Sequence, residues 1–480
     1  ILHSPFSILH SPFSILHSSF FILHSSLFIL HSLLAIVLLL LNLFVVARVP
    51  NPVYRSRLAA GELPEVTTSL SQPFAGGLTL LGYTITSAGV PADGEVQIDL
   101  LWQAREIPTV EYRAVVLLMD AEGQLWSPAG TLRPRGYEPP PPTTMWLPGQ
   151  YAYDPHIVQP LAGTPPGEYT LVVGLFDRFT LTPASVVDAD GNPVGPDLKL
   201  GTLRITPPQT RPDLQSLGVP ANVNLQYCGA VGLWMMTADR ARVAPGEIVG
   251  LRWVWEALEM PETALMAHLT LENVAGAALR DWTLPLSAAW WPTERWSVGE
   301  RWVGRPIVRL PGGLESGTYR LVVRLPDCDA ALAEIPLEVV APERSWQAPD
   351  DLLPADVVFG GEVRLIGYTL DPPSPVADTP LTMRLAWQAV TEMTASYRVF
   401  VHLLGSDGRL LAQSDGEPAN WTRPTTGWAV GEVVVETREI PVPATLPAGE
   451  IVLRVGLYLP DGSRLLTAGG EDAFVLTFKR

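Results

Sequence analysis

The chain has 480 residues, room for three domains of ordinary size, each able to bury its own core without disulfides or metals. Its formal net charge of −17, with no lysine- or arginine-rich run, repels a phosphate backbone and excludes nucleic acid as an expected partner. Charged residues are only 17% of the chain, while 47 prolines and 40 glycines recur along its length, a mixture that interrupts helices and suits short strands joined by turns.

Residues 1–32 form a low-complexity head in which Ile-Leu-His-Ser recurs every seven residues, starting at Ile1, Ile8, Ile15, Ile22 and Ile29. So literal a repeat reads as duplicated coding sequence rather than as a metal ladder of histidines. An apolar run over 33–48 follows, and counting the apolar part of the head from about 22–29 it reaches the length of about 20 residues that crosses a bilayer. It is expected to be a transmembrane helix, with 49–73 as a stalk. Arg48, Arg55 and Arg57 lie after it, which by the positive-inside rule alone would leave the C-terminal part in the cytoplasm. The chain starts at Ile1 rather than Met, however, so upstream sequence is expected to set the topology, and residues 49–480 are expected outside the cytoplasm at the cell membrane.

Beyond residue 73 three copies of one pattern can be counted. Gly82-Tyr83 precedes Trp102-Gln103-Ala104 by twenty residues, as Gly367-Tyr368 precedes Trp387-Gln388-Ala389, and the middle copy offers Trp255-Glu256-Ala257. Pro142-Thr143-x-x-Trp146-x-x-Gly149 recurs as Pro292-Thr293-x-x-Trp296-x-x-Gly299 and Pro424-Thr425-x-x-Trp428-x-x-Gly431. Val96, Ile98, Leu100 and Trp102 alternate with Gln97, Asp99 and Gln103, the period of a half-buried strand, and Glu122-Gly123, Asp407-Gly408 and Asp461-Gly462 are tight-turn signals. The expected fold is all-β: three tandem immunoglobulin-like antiparallel β-sandwiches over 74–208, 213–341 and 356–480, joined by proline-bearing linkers.

Two cysteines exclude a four-cysteine zinc site. Cys228 and Cys328 both fall in the middle copy, where they either pair, closing a loop of about 100 residues worth about 4–5 kcal/mol, or stay as buried thiols. No Gly-x-Ser-x-Gly elbow, His-Glu-x-x-His, Gly-x-Gly-x-x-Gly or phosphate loop occurs, so no catalytic, cofactor-binding or metal residue is assigned. His156, His268 and His402 occupy unmatched positions and read as strand or loop residues, and Asp188-Ala189-Asp190-Gly191-Asn192 reads as a polar hairpin turn rather than a calcium loop. Asn420-Trp421-Thr422 fits the N-glycosylation triplet. Tryptophan is the feature suited to recognition: Trp282, Trp290, Trp291 and Trp421 are candidate carbohydrate contacts, with plugging of the open sandwich ends as the structural alternative.

The strings Leu365-Ile366-Gly367-Tyr368, Trp387-Gln388-Ala389, Val399-Phe400-Val401-His402-Leu403 and Val455-Gly456-Leu457-Tyr458 resemble the extracytoplasmic β-sandwich appendages of bacterial membrane glycosyltransferases of the protein-mannosyltransferase type. The resemblance implies a location and a context but carries over no catalytic residue. Two functions are therefore expected to compete. One is a membrane-anchored, non-catalytic array that serves as a spacer or binds carbohydrate or other envelope components weakly. The alternative is the C-terminal part of a multi-spanning glycosyltransferase using lipid-linked sugars, with the catalytic part outside this chain.

Overall fold

A computed structural model describes residues 36–38, 63–135, 137, 141–328 and 330–479. The heptad head and nearly all of the expected transmembrane segment lie outside them. Among the described residues no helix is long and apolar enough to cross a membrane.

The fold is all-β, with two sheets in each of the three repeat regions. In the first region the sheet order by strand is Pro193–Gly195, Val186–Val187, Thr68–Phe74, Leu78–Ile85, Val96–Ala104, Tyr151–Val158, facing a second sheet that runs Gly89–Pro91, Asp197–Thr206, Gly167–Asp177, Tyr112–Met119. The third region is plainer, two four-stranded antiparallel sheets: Leu353–Phe359, Val363–Asp371, Leu381–Ala389, Val433–Ile440, and Leu410–Gly416, Arg398–Leu404, Glu450–Tyr458, Phe474–Lys479. Nearly all pairs are antiparallel, but Gly89–Pro91 joins Asp197–Thr206 in parallel, as Arg242–Val243 joins Ala333–Val339.

Burial follows the alternation. Val96, Ile98, Leu100 and Trp102 are buried while Gln97, Asp99 and Gln103 are half-buried. On the strand Gly317–Arg324, Leu321 and Val323 enter the core, whereas Arg320 and Arg324 stay on the outer face and both pair with Glu272. The buried apolar residues fall into three clusters, built around Trp102, around Trp253, Trp255 and Trp302, and around Trp387 and Trp428, and the first extends into the second region through Val254 and Val303.

Two expected boundaries move. The stalk does not run to residue 73: Thr68–Phe74 pairs with Leu78–Ile85 and seats Phe74 in the core against Trp102 at 5.4 Å. The apolar pair Leu70 and Phe74 makes the strand worth forming, and its weak alternation had hidden it. The second linker shortens in the same way, because Leu353–Phe359 is already a strand. The polar hairpin at Asp188 links the paired strands Val186–Val187 and Pro193–Gly195, its carboxylate accepting from the N–H groups of Asp190 and Asn192 at 3.0 and 2.8 Å.

Candidate functional site

The residues repeated in all three copies meet in space and hold one corner of each sandwich. Proline starts a single 3-10 turn at Thr143–Met145, Thr293–Arg295 and Thr425–Gly427. The buried threonine hydroxyl then ties down the chain entering the opposite sheet. Thr425 Oγ1 accepts from the Tyr397 N–H at 3.0 Å and donates to the Ala395 carbonyl at 2.9 Å. Thr143 does the same with Tyr112 and Val110, and Thr293 with Leu265 and Thr263.

The tryptophan three residues later is buried and donates its indole N–H back to the carbonyl five residues earlier, at 3.0 Å for Trp146, 3.3 Å for Trp296 and 3.0 Å for Trp428. The glycine has φ of +80°, +83° and +85° at Gly149, Gly299 and Gly431, a conformation that penalises other residues. Its N–H donates to the alanine that ends the Trp-x-Ala triplet: Gly149 to Ala104, Gly299 to Ala257, Gly431 to Ala389. The two sequence motifs are thus halves of one latch, and their recurrence is accounted for by hydrogen bonding and burial.

The structure places the four candidate carbohydrate contacts in different settings. Trp290 packs edge-on against Tyr169 of the first region, centroids 6.1 Å apart, and a Cβ on Gly167 would lie 2.5 Å from its Nε1. Trp291 packs on Trp302 at 5.6 Å, within the second core. Trp282 is not in a loop but on the strand Ala278–Pro285, opposite Leu269. Only Trp421 presents an open ring, 58% exposed. Trp290 and Trp291, which sequence alone made the leading pair, therefore sit in packing positions, the plugging role weighed against recognition. Cys228 and Cys328 are joined as a disulfide, Cα–Cα 6.2 Å, tying the strand Gln226–Cys228 to the end of Gly317–Arg324.

One buried polar cluster has the residue types of acid–base chemistry. His156 Nε2 lies 2.9 Å from Asp154 Oδ2, and Thr131 Oγ1 lies 2.7 Å from His156 Nδ1. With Nε2 protonated toward the carboxylate, Nδ1 accepts from the threonine hydroxyl, an order that resembles a nucleophile, base and orienting acid. The carboxylate is, however, already engaged by Arg133 and by the Tyr137 hydroxyl at 3.1 Å. Burial pushes the Asp154 carboxyl up, but His156, Arg133 and Tyr137 outweigh it and hold it at about 2. A group so fully saturated anchors the segment 131–137 across the strand Tyr151–Val158; sequence reading missed it because Thr131 and His156 are distant in sequence and in no shared motif. His402 pairs with Asp415 at 3.2 Å on the outer face of the third region, and His268 is exposed. Among the described residues no group of three or more His, Cys, Asp or Glu is arranged to hold a metal ion.

Contacts between regions are specific. The Val303 N–H donates to the Gly163 carbonyl at 3.0 Å, and Arg305 donates to the Leu125 carbonyl while stacking 5.2 Å over Trp126. Between the second and third regions Arg344 is the hub. It donates to the Gly312 and Leu314 carbonyls at 2.7 and 3.2 Å and pairs with Glu432, which is buried and also bound by Arg423. Backbone meets backbone here: a Cβ on Gly312 would lie 2.5 Å from the Thr426 carbonyl oxygen.

No family model matches the chain, and no curated protein matches it. Among solved structures it is similar to trypsin-activated alpha-2-macroglobulin from Escherichia coli, at 10% identity and a TM-score of 0.17, over 84% of this chain and 22% of that one. It is similar also to Salmonella alpha-2-macroglobulin reacted with methylamine, at 12% identity and 0.18, over 85% and 27%. The native E. coli alpha-2-macroglobulin gives 12% and 0.15, over 85% and 23%. The chain spans roughly a quarter of each of these chains, and TM-scores so low carry no argument about fold or function. The resemblance to glycosyltransferase appendages rests on the sequence strings alone.

Proposed function

We propose that the chain is a non-catalytic spacer: three β-sandwich modules locked end to end, tethered to a membrane by the apolar segment 33–48 and standing outside the cytoplasm. The observation that carries this reading is Arg344. A linker that merely connects modules leaves its backbone and charges in solvent. Here the linker arginine binds carbonyls of the second region and a buried glutamate of the third at once, so the joint is built to hold an angle. The first joint is bridged as well, by the Val303 N–H on the Gly163 carbonyl and by Arg305 on the Leu125 carbonyl.

Location outside the cytoplasm is supported by the Cys228–Cys328 bond, since disulfides persist in oxidising compartments. It is supported also by the sequence resemblance of the third region to extracytoplasmic sandwich appendages. Trypsin tests the locked joint. Arg344–Ser345 is the expected cleavage site of a free linker, and the side chain of Arg344 is only 10% exposed. In a locked array this bond survives while exposed arginines such as Arg409 are cut first; cleavage at Arg344 as fast as at Arg409 would refute the lock.

A further inference from the structure

The third region carries a feature that a spacer does not need. Ala419, Asn420 and Trp421 are three successive non-glycine residues in the left-handed region, with φ of 50°, 53° and 67°. Each such residue costs about 1–2 kcal/mol, so the turn persists only because its surroundings impose it. They do. Buried Arg438 donates to the carbonyls of Gly416 and Glu417 at 2.8 and 2.9 Å, and its partner Glu436 accepts from the Ala419 N–H at 3.2 Å. Trp387, the core tryptophan of the repeat, donates its indole N–H to the same carboxylate at 2.8 Å.

The result of this expenditure is an indole held in the open. The guanidinium of Arg398 lies 5.2 Å from the Trp421 ring. Its Nε is buried without a hydrogen-bond partner, and no carboxylate pairs with it among the described residues. Nearby Arg454 and Arg464, in contrast, both pair with Asp472. Arg398 stands opposite Tyr458 on the neighbouring strand.

We propose that this corner of the third region is a binding site for an acidic saccharide, a sugar unit bearing a carboxylate. The apolar face of a pyranose ring stacks on the exposed indole, as aromatic side chains with one wet face favour. The sugar carboxylate takes the terminal Nη groups of Arg398, a charge-assisted bond of the strong kind. Neutral sugars satisfy only the first half of the site. The proposal goes beyond the spacer reading and does not depend on it: a stiff array without a ligand, or a ligand on a flexible array, are both distinguishable outcomes.

The test is calorimetric titration of the full chain with a trigalacturonate oligomer, its methyl ester, and a glutamate-rich peptide of equal charge. The acid should bind at least about tenfold tighter than the ester, one charge-assisted bond being worth about 1.4 kcal/mol or more. Trp421→Asn, which tolerates the left-handed turn, should abolish binding, and Arg398→Gln should remove the preference for acid over ester. Trp346→Ala, an exposed tryptophan in the linker, should change nothing. Absence of uronate binding to the native chain would overturn the proposal. So would retained binding in Trp421→Asn, or equal binding of the glutamate peptide, which would mark the site as a peptide surface. Binding unaltered in Arg398→Gln would overturn the assigned carboxylate contact.

Discussion

Replacing Thr425 by valine isolates the latch, because the two side chains have nearly the same shape and differ by one hydroxyl. That hydroxyl is fully buried and makes two bonds, accepting from Tyr397 N–H and donating to the Ala395 carbonyl. Valine leaves both backbone groups buried without a partner, at about 1–2 kcal/mol each, so the third region should lose about 2–4 kcal/mol. Serine keeps the hydroxyl and gives up one methyl, costing about 1 kcal/mol. Hydrogen exchange of peptides covering Arg398–Leu404 reads the opening of this region without requiring the whole chain to unfold in one step. Exchange in Thr425→Val should accelerate about 30- to 1,000-fold over the native chain and in Thr425→Ser much less. Equal acceleration in the two variants would show that the hydroxyl bonds are not what the repeated threonine supplies.

The disulfide closes 100 residues, so breaking it with Cys228→Ser should lower the stability of the middle region by about 4–5 kcal/mol from loop entropy, measured as a fall in its calorimetric melting temperature. Acid should loosen the first region through Asp154. Its carboxyl is depressed to about 2 in the folded chain, so it contributes stability above the ordinary aspartate value of about 3.9, lost progressively as pH falls toward 2. Fluorescence-monitored urea unfolding should therefore show a steep loss of stability below about pH 4 that Asp154→Asn abolishes. The variant should be less stable than the native chain at pH 7, with the two converging near pH 2. Glu436 works with the opposite sign: burial raises it, with Arg438, Trp387 and the Ala419 N–H pulling back, so its ionised form is a cost that acid relieves.

The strand alternation and the latch residues were legible in the sequence because both are local patterns: a period of two, and a Pro-Thr-x-x-Trp-x-x-Gly spacing repeated three times. What the latch does was not legible, since Gly431 and Ala389 are separated by the strands Arg398–Leu404 and Leu410–Gly416 and meet only when the sheet forms. The tryptophans show the same limit from the other side. Trp290 reads as a loop residue until the first region supplies Gly167 and Tyr169 to cover it, a contact between repeats that no spacing within one repeat encodes. Trp421 looked no different from it, and what separates the two is a turn held open by Glu436 and Arg438.

The locked joints are best tested by pulsed dipolar spectroscopy between spin labels placed at the exposed turn positions Glu122 and Asp461, in the native chain and in Gly312→Ala. The substitution would drive a methyl to 2.5 Å from the Thr426 carbonyl oxygen and so wedge the second joint apart. A single narrow distance in the native chain that shifts or broadens in the variant is the predicted result. A broad distance distribution already present in the native chain would contradict a stiff array.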